Sequence, residues 1–391
     1  YLEVYFKFRV RKFMKLFKSL LVAPATLGLL APIAATANEV TISDFTPAEQ
    51  LAITNSRVDG LEARLNNFEA GSFSETTTAS FSVDFAVGAV DGKDIKTADP
   101  NLTTDGDETL QSVYGFQIDL NTSFTGEDSL DISLDAGNGA TTGALAEFDL
   151  NGGDDSLKVD GVTYTFPLGS ATAFVGDNTD GSMLFTTACV YGGPSNTLDD
   201  CANVTAGITG GGVSLGASYD FDNGFTTAVG AQFVETGIAT KGNADSWAAN
   251  LAYTTDSYGA SITYAMVEVG TGNDTFTALN GYYSFDNGLN ISAGYEIGDL
   301  DGHAAAADET EAYFIGVNGE VGPGELGAAV GTYGKMTEAS SVMPERLMYE
   351  AYYSYAVNDG MTITPLIYTV EADGTTDKDE TGVMVKTSFS F

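Results

Sequence analysis

Apolar and polar side chains alternate along most of the chain beyond its first seventy residues. Residues 81–89 read FSVDFAVGA, with an apolar side chain at every second position, and the same alternation returns at 213–221, 289–297, 349–357 and 383–391. A period of two over about ten residues indicates a β-strand with one apolar face. Strands of about 9–11 residues can also cross a membrane at a tilt. The pattern therefore predicts membrane-crossing strands.

Short and long connectors alternate between these segments. Two of the short connectors, 222–224 and 286–288, contain Asn-Gly, which suits a two-residue hairpin turn because it adopts positive φ readily. The seven short connectors are 126–128, 167–169, 222–224, 255–257, 286–288, 322–324 and 358–360. The eight long connectors are 91–110, 137–155, 177–205, 236–244, 269–274, 298–308, 334–346 and 371–379. Tight turns at one rim, long loops at the other and an even strand number are typical of outer-membrane barrels.

We therefore predict an all-β fold over residues 72–391, a transmembrane antiparallel up-and-down β-barrel of about 16 strands. Closure is expected because lipid cannot satisfy the backbone of an open sheet edge. An apolar patch at 144–150, within one long connector, could be a further strand. Phe221, Phe225 and Phe285 lie beside short turns and would contribute to an aromatic girdle at one membrane interface.

The start of the chain has the features of an export signal. Met14 is followed by lysines, an apolar run at 20–33 and the small-residue sequence Ala35-Thr36-Ala37. This is the order of regions in a secretory signal peptide, which we place at 14–37. Residues 1–13 would then be a mis-called start extension.

The segment 38–71 is expected to be periplasmic and to contain a helix at 47–70. Thr46 and Glu49 match a capping box, and apolar residues of the helix fall at heptad-compatible spacing. This narrow apolar stripe favours a short coiled coil, so we expect a homotrimer. The alternative is a helix that packs on the barrel or plugs its mouth.

The chain is strongly acidic, with 54 Asp and Glu against 16 Lys and Arg and a net charge of −38. Phosphate binding needs basic patches, so this charge argues against nucleic acid as a partner. On the polar faces of the predicted strands, the candidate lumen-facing side chains are Asp84, Asn290, Glu296 and Lys386. Carboxylates near a pore concentrate cations, and acids in outer loops are screened by salt. We therefore expect a weak cation preference.

Catalytic and cofactor motifs are not found in the sequence. His303 is the single histidine, whereas a zinc site or a base–nucleophile pair needs partners. We expect neither an enzyme nor a metal site nor a cofactor. The aspartates of 91–107 could bind Ca²⁺, but they match no EF-hand spacing, and a solvated acidic loop is the simpler interpretation.

The longest connector, 177–205, contains both cysteines of the chain, Cys189 and Cys201. In an exported protein such a pair is most simply a disulfide, although two free buried thiols are the alternative. A bridge would remove about 3 kcal/mol of unfolded-chain entropy, which argues against a disordered loop. The loop would either fold inward as a constriction or cap the outside. The constriction candidates are Asp177, Asp180, Asp199 and Asp200.

Three segments resemble cyanobacterial outer-membrane porins. RVDGLEARLNNFEAGSFSETT (57–77) is similar to the short coiled coil that precedes the barrel in that family, and 116–138 and 162–176 look like its early strands. The family is related to carbohydrate-selective porins and is also labelled as iron- or inorganic-ion-uptake porins. Longer members carry a surface-layer-homology domain, which we expect this chain to lack because only 38–45 precede the helix.

The last strand and the connector 177–205 also have counterparts among known barrels. Phe389 and Phe391 resemble the recognition strand that the barrel assembly machinery uses, with an ordinary edge strand as the alternative. Porins of this size narrow their channel with the loop after the fifth strand, and the resemblance implies the same for 177–205.

Two functions from different classes follow. The first is an outer-membrane porin, a passive diffusion channel for small hydrophilic solutes and inorganic ions. The second is a structural or adhesive barrel with a plugged lumen. Small polar residues on the predicted inner faces favour the first, because about 16 strands leave room for an aqueous channel.

Overall fold

The computed structural model describes residues 77–92, 109–139, 145–153, 155–240, 242–270, 272–301, 308–337, 345–372 and 379–391. Its strands are β1 (Thr77–Asp91), β2 (Gln111–Thr122), β3 (Ser129–Gly137), β4 (Lys158–Leu168), β5 (Ala171–Asp177), β6 (Val213–Asp220), β7 (Phe225–Phe233), β8 (Ser246–Thr254), β9 (Tyr258–Val269), β10 (Gly272–Ser284), β11 (Leu289–Leu300), β12 (Glu309–Val321), β13 (Gly324–Thr332), β14 (Leu347–Asn358), β15 (Met361–Val370) and β16 (Glu380–Ser390). Within these ranges no helix has the length and apolarity needed to cross a bilayer. The signal peptide, the helix at 47–70, His303 and most of the acidic loop 91–107 lie outside the described residues.

The sixteen strands form one closed barrel. Each strand pairs antiparallel with the next along the chain, and β1 pairs with β16. Phe81 and Phe391 exchange backbone hydrogen bonds at 3.0 and 3.1 Å, and their rings stack with centroids 5.7 Å apart. The prediction of a closed, antiparallel, 16-stranded barrel is confirmed.

The alternation in the sequence separates the two faces of the barrel wall. In β10, Phe276, Ala278 and Asn280 are buried, whereas Leu279 and Tyr283 between and beyond them are half exposed. Successive side chains point to opposite faces of a pleated strand. The exposed apolar face is therefore the outside of the barrel, and the buried positions face the lumen.

The seven short connectors lie between the strands as expected. Gly224 and Gly288 have φ of 90° and 82°, which the Asn-Gly turns require. Aromatic rings pack beside these turns, with centroids 4.8 Å apart for Tyr219 and Phe221 and 4.7 Å for Tyr283 and Phe285. These ring pairs lie at the turn-side rim, where an aromatic girdle was expected.

One connector was predicted wrongly. The sequence suggested a long loop at 269–274, but β9 and β10 are separated only by residues 270 and 271. Gly272 and Asp274 pair with Val269 and Val267, so polar residues that resemble a loop extend the hairpin instead. Long and short connectors therefore do not alternate strictly.

Candidate functional site

A long inward loop, residues 178–212 between β5 and β6, enters the barrel. It passes very close to β7, since a Cβ atom added to Gly230 would lie 1.8 Å from the Gly181 carbonyl oxygen. Only glycine allows the loop backbone to lie so near the wall at this point. Further along, Ala188 and Leu198 are buried almost completely.

Polar side chains on the inner wall hold the backbone of this loop. The Asn250 amide accepts from Thr186 N–H and donates to Thr186 O, both at 3.1 Å. Ser261 and Ser292 on β9 and β11 accept from Ala188 and Val190 N–H at 2.9 and 3.1 Å. These contacts satisfy backbone groups that would otherwise be buried without partners.

Two buried carboxylates add further contacts. Glu296 on β11 accepts from the N–H groups of Thr205 and Ala206, both at 2.8 Å. Glu350 on β14 accepts from the Tyr191 hydroxyl at 2.6 Å. A disulfide joins Cys189 to Cys201 between these two regions. The loop is thus held along the wall from β7 to β14.

A short inward segment, residues 145–153 between β3 and β4, covers another part of the wall. The sequence allows a further strand at 144–150, but the described part of this patch forms a 3₁₀ turn at Ala146–Phe148. Phe148 is buried, and the Lys386 ammonium lies 5.5 Å from its ring centroid. The Glu147 carbonyl accepts from Asn196 N–H at 2.8 Å, which joins the two inward elements.

An open cavity lies between the inner face of β3 and β4 and the two ends of the long inward loop. Its volume is about 510 Å³, and its lining includes Asp131, Asp160, Asp180, Thr163 and Met183. A second cavity of about 210 Å³ is lined by Asp84, Gln117 and Lys386, among others. The larger cavity has three carboxylates and no basic side chain among its lining residues.

The carboxylates on the long inward loop have raised pKa values. Burial, opposed in part by a hydrogen bond from Ala202 N–H, raises the pKa of Asp200 to about 7, and the charges of Asp199 and Glu296 add to the effect. Partial loss of solvation on the loop, together with the charge of Asp149, raises the pKa of Asp199 to about 6. The mechanism in both cases is loss of solvation combined with like-charge repulsion.

The predicted constriction residues occupy different places. Asp180 lines the larger cavity, whereas Asp177 is the exposed last residue of β5. Asp199 and Asp200 lie on the long inward loop, farther along the chain. Among the proposed lumen residues, Glu296 is 1 % exposed and lies under that loop, Asp84 and Lys386 line the smaller cavity, and Asn290 is half-buried on the inward face of β11.

Sequence reasoning missed Asp131 and Asp160. Asp131, Ser133 and Asp135 occupy alternate positions in β3, with Leu130, Ile132 and Leu134 between them. This period-two pattern could have indicated an acidic inner face. Asp160 lies where the β3–β4 register shifts, and that irregularity has no sequence signal. Within the described ranges, no three His, Cys, Asp or Glu side chains form a group that could hold a metal ion.

Comparison with known proteins supports the barrel fold. No family model matches the chain. The porin OprB of Pseudomonas putida has a TM-score of 0.58 at 11 % identity, covering 81 % of this chain and 94 % of that one. An anion-selective porin from Comamonas acidovorans has a TM-score of 0.57 at 15 % identity, covering 81 % and 99 %. A Rhodopseudomonas blastica porin mutant has a TM-score of 0.52 at 10 % identity, covering 81 % and 100 %.

These likenesses define the class of fold, a closed 16-stranded barrel of the porin type; porins are channels rather than enzymes. In sequence, the chain is 33 % identical over 141 residues to an uncharacterised protein of Nostoc sp.. That match spans 32 % of this chain and 23 % of the relative's length.

Proposed function

We propose that this chain is an outer-membrane porin, a passive diffusion channel for small hydrophilic solutes and inorganic ions with a weak cation preference. The observation that carries the proposal is the acidic cavity beside β3 and β4, inside a barrel whose outer face is apolar. An apolar exterior suits lipid, and a polar interior suits water. The resemblance to carbohydrate-selective and iron-uptake porins leaves sugars and ions as solutes to test.

The proposed conduction path runs between β3 and β4 on one side and the long inward loop on the other. Asp131 and Asp160 would face Asp180 of the long inward loop across this path. Carboxylates that line a narrow path raise the local concentration of cations and repel anions. The preference is weak because salt at about 0.1 M screens charges beyond about 10 Å.

Reversal potentials of single channels in planar bilayers test this path. We expect a cation preference in the native protein. Replacing Asp131, Asp160 and Asp180 by Asn should lower the cation-to-anion permeability ratio by about twofold or more. The matched control replaces Asp222, Asp256 and Asp286, three exposed acids in short turns of other hairpins. Anion selectivity in the native channel, or equal effects of the two triple variants, would refute the path.

A structural or adhesive barrel with a plugged lumen remains the second candidate. The observation in its favour is the long inward loop, whose contacts extend across the lumen-facing sides of β8 to β14. Silence in planar bilayers with every salt tested would favour this function over the channel.

We also propose a homotrimer in the outer membrane, inserted by the barrel assembly machinery. The helix expected at 47–70 would contribute a small coiled coil. Deleting residues 38–70 should leave conductance intact and make the oligomer dissociate in milder detergent, as measured by native gel electrophoresis. If the oligomer is equally stable after this deletion, the helix does not hold the subunits together and instead packs on the barrel or plugs its mouth.

A further inference from the structure

Buried oxygen atoms without partners gather where the long inward loop crosses β10 and β11. Glu296 Oε1 and Asn280 Oδ1 have no hydrogen-bond partner, and their residues are 1 % and 5 % exposed. Buried polar atoms are almost always paired. Two unpaired acceptors in one place therefore require a donor or a cation.

Strand register places these two side chains together. Asn280 pairs with Gly294 and Ala278 pairs with Glu296, so Asn280 and Glu296 are diagonal neighbours on the inner face. Diagonal neighbours lie within reach of long polar side chains. Gly294 between them lets the loop come close, since a Cβ there would lie 1.8 Å from the Cys201 carbonyl oxygen.

The loop segment above this pair supplies more oxygen atoms. The Asn280 amide nitrogen donates to Cys201 O at 2.8 Å, which directs the amide oxygen elsewhere. Thr205 and Ala206 N–H bind Glu296 Oε2, which leaves Oε1 available. Asp200 directly precedes Cys201, whose carbonyl oxygen meets Asn280 and Gly294, and the Asp200 Oδ1 accepts from Ala202 N–H at 2.9 Å.

The nearby basic group does not satisfy these atoms. Lys335 places a favourable charge in the surroundings of Glu296, but its ammonium lies over the Phe276 ring, 5.1 Å from the centroid. Two carboxylates with an amide oxygen and a peptide carbonyl are hard ligands, which Ca²⁺ accepts in flexible geometry. Mg²⁺ demands a stricter octahedral arrangement.

We propose that Glu296, Asn280 and Asp200 bind one Ca²⁺ ion that fastens the long inward loop to the barrel wall. Its charge balances the two carboxylates, and the remaining ligands are neutral oxygens. Only two of the three proposed side-chain ligands are acidic. The site is therefore not a cluster of three or more Asp, Glu, His or Cys side chains. The proposal does not depend on conduction, because it concerns only how the loop is held.

Hydrogen–deuterium exchange of residues 200–206 in the purified full chain tests the site, with CaCl₂ compared against MgCl₂ and a chelator at equal ionic strength. We expect Ca²⁺ to slow exchange of these amides by about tenfold or more. Glu296→Gln keeps an acceptor for Thr205 and Ala206 and should abolish the calcium effect. Glu350→Gln, an identical change at another contact of the same loop, should keep it.

Asp200→Asn provides a second variant that leaves the barrel strands untouched and should also lose the calcium effect. Equal calcium protection in Glu296→Gln and the native protein would overturn the proposal. No calcium effect, with protection that rises on acidification, would instead mean that a proton bridges the two side chains. Protection that changes with neither calcium nor acidification would mean that water binds the unpaired oxygen atoms of Glu296 and Asn280.

Discussion

At the residue scale, one carboxylate organises the connector between β2 and β3. Asp128 Oδ1 accepts from Thr125 N–H and Oγ1–H at 2.7 Å and from Ser123 Oγ at 2.9 Å. The Tyr164 hydroxyl donates to Oδ2 at 2.8 Å. Burial alone would raise the pKa of Asp128, but the hydrogen bonds from Thr125, Tyr164 and Ser123 together hold it well below its ordinary value.

The lowered pKa of Asp128 predicts an acid-dependent contribution to stability. Because the folded-state pKa lies below the unfolded value of about 3.9, the contribution is complete above that pH and is lost as the pH falls further. Asp128→Asn should therefore lower the thermal unfolding midpoint near pH 7 and have a smaller effect at about pH 3. Glu127→Gln in the same turn is the control. A difference between Asp128→Asn and native protein that stays constant with pH would contradict this account.

At the element scale, the long inward loop decides how much of the lumen is open. The position of the loop depends on small or polar residues of the wall. A larger side chain at these positions would push the loop backbone away from the backbone of the strand. Gly294 is the clearest case, since its neighbour is a peptide oxygen rather than a flexible side chain.

Gly294→Ala should therefore displace the loop and raise single-channel conductance. Gly281→Ala, on the neighbouring strand, is the control because its added Cβ would meet nothing nearer than 3.3 Å. Deleting residues 182–201 should raise conductance further, since it removes most of the loop from the lumen. Unchanged conductance in both Gly294→Ala and the deletion would place the loop away from the conduction path.

At the scale of the whole molecule, the number and order of the strands can be predicted from local sequence patterns. The arrangement of side chains and loops inside the lumen cannot. Alternation around 81–89 and the Asn-Gly turn at 222–224 are encoded by neighbouring residues, so both were predicted. The hairpin at 269–274 was missed because Asn and Asp there extend strands only through cross-strand pairing. Asp160 and the 3₁₀ turn at Ala146–Phe148 depend on contacts distant in sequence, which periodicity cannot report.

Closure of the barrel by β1 and β16 also implies an order of events in time. The two strands lie at opposite ends of the barrel sequence, and pairings between distant segments form slowly. The long inward loop is held along the wall from β7 to β14. It can reach this position more easily from the side, while the sheet is still open, than through the mouth of a barrel that has already closed. The Cys189–Cys201 bridge should therefore form before the chain resists unfolding by detergent, and pulse-labelled chains sampled during assembly would reveal that order. Resistance that precedes oxidation would mean that the loop enters last.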